Sequence, residues 1–131
     1  MKKFSIILSL LFAIFVINAN AQETKNLTAK LNENFLTYQN NKVIVSFTVS
    51  GDRGDFQKVI NVSKNYKKYL TFNYKSSNND TYNCKMNFDK YDKPISNLGF
   101  IQKMLINFNI EYFTYKDETY NVKDFTNAVQ K

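Results

Sequence analysis

Residues 42 to 49, KVIVSFTV, alternate with a period of two. Val43, Val45, Phe47 and Val49 point one way, and Lys42, Ser46 and Thr48 point the other. This period marks a strand with one face on a core and the other in water. Two later runs repeat it. Leu70, Phe72 and Tyr74 alternate over residues 70–75, and Tyr82, Cys84, Met86 and Phe88 alternate over residues 81–88. The turn-rich stretch SSNND lies between them, so the pair reads as an antiparallel hairpin.

The segments between and around these strands have a helical period. Residues 24–39 place Leu27, Leu31, Phe35 and Tyr38 at helical spacing, with Thr24 or Asn26 as cap, so the sequence predicts an N-terminal helix there. Residues 55–70 carry two patterns. As a helix, Phe56, Val59, Ile60, Ser63, Tyr66 and Tyr69 form a stripe, Asp55 is the N-cap, and Lys64, Lys67 and Lys68 face outward. As a strand, Phe56, Ile60 and Val62 alternate and the β-branched residues fit. The stripe persists over four turns, and on that ground we read a helix. Asp92-Lys93-Pro94 then breaks the chain. A second helix, capped by Ser96 or Asn97, runs to about Asn107 with Leu98, Ile101, Leu105 and Phe108 inward. A strand over 110–115, a turn at Lys116-Asp117-Glu118, a short strand over 119–122 and a short helix over 123–129 complete the pass. The fold class is α+β: a small antiparallel sheet with helices on one face, plus N-terminal and short C-terminal helices.

The first residues address the chain. Lys2 and Lys3 precede an apolar run from Phe4 to Ile17, and Ala19-Asn20-Ala21 fits a small-x-small cleavage site. That is a secretory signal peptide, cleaved after Ala21. Its apolar run is shorter than the roughly 20 residues that span a bilayer. The leader, followed by an Asn- and Lys-rich body, resembles those of secreted Bacteroidetes proteins, which implies a periplasmic or extracellular location. Residues 22–131 then form one domain of 110 residues, enough to bury about 65% of its unfolded surface. Nine Phe and nine Tyr remain after the leader, and they fill much of the core. Cys84 is the chain's one cysteine, so no internal disulfide forms and the core supplies the stability. Loss of Lys2 and Lys3 takes the net charge from +7 to +5. That suits weak attraction to anionic surfaces or glycans and falls short of a nucleic-acid footprint.

From residue 42 the element order is β-α-β-β-α-β, the split arrangement of ferredoxin-like folds. The stretch FTVSGDRGDFQKV, Phe47 to Val59, resembles the metal loop of heavy-metal-associated domains, in which a strand ends in Gly-x-x-Cys-x-x-Cys and a helix follows. Gly51 matches the family glycine, while Gly54 and Gln57 stand at the cysteine positions. The resemblance covers about residues 42–115 and implies the fold. The missing thiolates argue against soft-metal transfer, and we expect neither metal nor cofactor.

Gly51-x-x-Gly54 could cradle a phosphate, but Asp52 and Asp55 put negative charge where the anion would lie, and the Gly-Lys-Ser/Thr ending of a P-loop is missing. Arg53-Gly54-Asp55 matches an adhesion tripeptide, though Asp55 also reads as a cap. A tight polar turn explains the loop. The chain has no His, which excludes Ser-His-Asp, Cys-His and zinc-histidine schemes. Asp89 and Asp92 share one loop, and Glu111 lies between apolar residues, leaving a carboxylate-dependent enzyme as a second alternative. The triplets at Asn26, Asn61 and Asn79 matter only in a host that glycosylates exported Asn.

The sequence therefore reads as an exported, non-catalytic binding or interaction module of the cell envelope, its partner another envelope or secreted protein. The contact surface is expected on a sheet face or edge carrying Tyr74, Tyr82, Tyr112 and Tyr115. The alternative is a basic module that binds anionic glycan or lipopolysaccharide through Lys64, Lys67 and Lys68, with Lys75 nearby, interleaved with Tyr66, Tyr69 and Tyr74. No nucleic acid and no membrane span after leader cleavage are expected.

Overall fold

The computed structural model describes residues 27–78 and 80–130. The leader, its cleavage site, the caps expected at Thr24 and Asn26, and Asn79 lie outside the described residues. Among the described residues no helix is long and apolar enough to cross a membrane.

The chain forms a mixed seven-stranded sheet with three helices. Its elements are β1 (Leu27–Leu31), β2 (Leu36–Gln39), β3 (Lys42–Ser50), α1 (Arg53–Asn65), β4 (Leu70–Asn78) and β5 (Thr81–Asp89). Then follow α2 (Pro94–Asn107), β6 (Ile110–Tyr115), β7 (Glu118–Asn121), a 3-10 turn (Val122–Asp124) and α3 (Phe125–Val129). The strand order is β4-β5-β3-β1-β6-β7, with β2 on the same edge of β3 as β1. Only the β1–β6 pair is parallel.

The expected N-terminal helix is absent: residues 27–39 are two strands. Leu27, Ala29 and Leu31 are buried and alternate with exposed Thr28 and Lys30. The chain leaves the ladder over 32–35, where Phe35 turns into the core and its carbonyl accepts from the Ser46 amide at 2.9 Å. It then re-enters as β2 and reverses through Asn40 and Asn41, both at positive φ. Lys116 and Asp117 make the same left-handed pair between β6 and β7. Such pairs match the twist of the strands they join.

The β-α-β-β-α-β order from residue 42 is present as β3-α1-β4-β5-α2-β6. Its sheet departs from the plain split arrangement, because β1 inserts between β3 and β6, the first and last strands of that unit.

The helices share one face of the sheet. Phe56 of α1 stacks on Tyr82 with ring centroids 3.9 Å apart and meets Tyr74 edge-on. Phe100 of α2 packs on Phe88, and Phe108 on Phe72. Phe125 of α3 contacts both Phe35 and Phe113. These aromatics join Val43, Val45, Val49, Met86, Ile101, Met104 and Leu105 in one core. Burying so many large apolar groups, at about 25 cal/mol per Å², is what stabilises a chain without a disulfide.

Both helix starts differ from the expectation. α1 begins at Arg53, and Asp52 rather than Asp55 is its cap, accepting from the Gly54 amide at 3.1 Å. α2 begins at Pro94 after Lys93, with no side-chain cap. Proline suits that first position because its missing N–H would be unpaired there anyway. Asn97 is instead 1% exposed, and its Oδ1 accepts from the Tyr91 amide at 2.8 Å.

Candidate functional site

The glycine loop is short and already filled. Gly51 has φ 156°, and a Cβ there would collide with Leu27 Cδ2. Its amide donates to the Asp80 carbonyl at 2.9 Å. The glycine thus allows a close approach of β3 to β1. The Asp52 carboxylate occupies the α1 N-terminus, and Asp55 lies 3.9 Å from Lys58. Arg53, Gly54 and Asp55 form the first turn of a regular helix, and Gln57 follows on it. Among the described residues, no group of three or more His, Cys, Asp or Glu side chains is placed to hold a metal ion.

The six residues expected to bind are dispersed. Lys64 is in the last turn of α1, and Lys67 and Lys68 follow it. Tyr66 is the C-cap of α1, and its hydroxyl accepts from Asn107 Nδ2 at 3.0 Å, which ties α1 to α2. Tyr69 is 64% exposed and lines a small recess with Lys42, Lys67, Lys68, Thr71, Asn87 and Asp89. Tyr74 is 48% exposed but lies on the helix side, against Phe56. Of the other tyrosines expected on the surface, Tyr82 and Tyr115 are buried in the core. Asp89 is exposed and ion-paired with Lys42 at 2.6 Å, and Asp92 is exposed in the loop that follows.

The feature that the fold builds is the sheet face opposite the helices. The strand pairings align its side chains in rungs. One rung crosses six strands: Lys75, Asn83, Thr48, Lys30, Thr114 and Thr119. A second joins Asn73, Lys85 and Ser46. A third joins Asn78, Thr81, Ser50, Thr28, Tyr112 and Asn121. Thr71, Asn87, Ile44 and Thr37 form a fourth. These positions carry hydroxyls, amides and three lysines, and none is acidic. Ile44 and Tyr112 are the apolar exceptions.

The face is not flat. Asn32, Ser46, Thr48, Asn73, Lys75, Asn83 and Lys85 contribute to a shallow depression of about 560 Å³. A smaller one of about 310 Å³ continues past Thr28 and Lys30 to Tyr112 and Thr119. Within the larger one Thr48 Oγ1 donates to Asn83 Oδ1 at 3.2 Å, which leaves the Asn83 amide nitrogen for another acceptor. Lys30, Lys75 and Lys85 are exposed, and none is ion-paired among the described residues.

No family model, curated protein or solved structure matches the chain.

Sequence reasoning named Lys75 only as a neighbour of the expected patch and missed Lys30 and Lys85. The signal for Lys85 was present: it is the polar partner of the Tyr82-Cys84-Met86-Phe88 alternation. Lys30 was hidden by the helical reading of its segment. What aligns the three is strand register, which pairs residues far apart in sequence.

Proposed function

We propose that the protein is a non-catalytic binding module that works in the cell envelope after export and uses the open sheet face as its contact surface. One observation carries this reading. The helices pack on one face of the sheet, while the other face is a broad array of hydroxyl, amide and ammonium groups with a shallow depression across its centre. The donors come from hydrogen-bonded strands of one sheet, and such placement favours binding because little backbone ordering is left to be done.

Lysine footprinting with an amine-acetylating reagent tests this proposal, with and without solubilised envelope from the producing cell. We expect Lys30, Lys75 and Lys85 to be protected by the envelope fraction while Lys58, Lys64 and Lys103 stay reactive. Protection of the helix-side lysines alone, or of none, contradicts it.

A further inference from the structure

We propose that the ligand of the open face is an extended polyanionic polysaccharide, bound along the rungs that carry Lys30, Lys75 and Lys85. This inference rests on the reading of that face as the contact surface and adds the ligand class.

Charge is the first argument. The four rungs hold three lysines and no carboxylate, and the lysines have no ion-pair partner among the described residues. Asp89, one step beyond the rungs, is neutralised by Lys42 at 2.6 Å. Glu33 and Asp117 stand past Lys30 at the far end, beside Lys116. Within the four rungs themselves an anion meets three ammonium groups and no carboxylate.

Spacing is the second. Lys75 and Lys30 lie on one rung but three strands apart, a separation of roughly 14 Å from the inter-strand distance. Lys85 is diagonal to Lys75, one rung along. The three lysines are anchored on three different strands, a spread wider than one small anion. They fit charges repeated along a chain, each lysine meeting a different one.

The groups between the lysines are the third. Ser46, Thr48, Asn73 and Asn83 supply hydroxyls and amides, which donate and accept toward sugar hydroxyls and ring oxygens. A protein partner of ordinary composition would be met by an aromatic or aliphatic centre. A single-stranded nucleic acid would be met by stacking rings. Ile44 and Tyr112 stand on separate rungs and form neither.

Affinity of the folded chain for alginate tests the inference, with uncharged dextran as the control polymer. The measurement is titration calorimetry at about 0.05 M and about 0.5 M salt, concentrations between which screening lengths change severalfold. We expect alginate to bind, dextran not to, and the affinity to fall steeply with salt. The triple variant K30Q/K75Q/K85Q should lose roughly tenfold or more. The variant K58Q/K64Q/K103Q, which removes the same charge from the helices on the opposite side, should stay within about twofold. Equal losses in the two variants, salt-insensitive binding, or equal binding of dextran would overturn the assignment. If alginate does not bind while footprinting still protects the open face, the ligand class is wrong and the contact surface stands. If neither is seen, both fall.

Discussion

At the scale of single residues, Cys84 shows how fold fixes chemistry. It is 4% exposed, and its Sγ lies 3.6 Å from the Tyr82 carbonyl. Burial pushes its thiol up to about 12 from an ordinary 9.0. The folded chain therefore keeps the proton that an unfolded chain loses above pH 9. Cys84 favours the fold fully below pH 9, and that contribution declines as pH rises from 9 toward about 12. A thiol reagent at pH 8 should leave the native protein unlabelled and label it completely in denaturant. Rapid native labelling would show a reactive thiolate that this burial does not permit. The sequence alone places Cys84 as a buried small apolar residue, because it alternates with Tyr82, Met86 and Phe88. That same alternation puts Tyr82 inside, so the expectation of an exposed Tyr82 overlooked its own strand. Tyr115 could not be read this way. An irregularity at the start of the β1–β6 pairing, between Leu27 and Thr28, sends Tyr112 outward and Phe113 and Tyr115 inward. A bulge is set by pairing, not by local sequence.

At the scale of elements, β1 carries the lesson. Leu27, Leu31 and Phe35 are four apart, a spacing that satisfies both a helix and every second inward position of a strand. Ala29, the residue that distinguishes them, is small and only weakly apolar, so the strand signal is faint. What decides is the gap between β3 and β6, which β1 fills with an antiparallel ladder on one side and a parallel one on the other. The helix α1 was legible for the opposite reason: its stripe of Phe56, Val59 and Ser63 is long enough to outvote the β-branched residues. Ala29 faces the core between Val49 and Phe113, whereas Thr28 faces water between Ser50 and Tyr112. A29D should therefore cost about 3 kcal/mol or more, the order expected for a buried unpaired charge, while T28D should stay within about 1 kcal/mol. Chemical denaturation of both variants checks this. In a helix with Leu27, Leu31 and Phe35 inward, residue 29 would face solvent and A29D would be harmless.

At the scale of the whole molecule, the division of labour is between two faces of one sheet. The alternating runs announce it in the sequence, since every apolar position facing the helices has a polar neighbour facing away. The α+β class and the β-α-β-β-α-β order follow from those runs and the two helical stripes. The candidate site does not, because it consists of positions joined only when β4, β5, β3 and β1 come into register. The lysines after α1 drew attention in the sequence because they are close together in the chain. Those of the open face are close together only in the fold. The most direct test of this account is amide chemical-shift mapping of the folded chain during titration with alginate. The account predicts that the perturbed amides fall on the central strands, around residues 28–30, 46–48, 73–75 and 83–85. Perturbations confined to α1, α2 and the lysines at residues 64, 67 and 68 would contradict it.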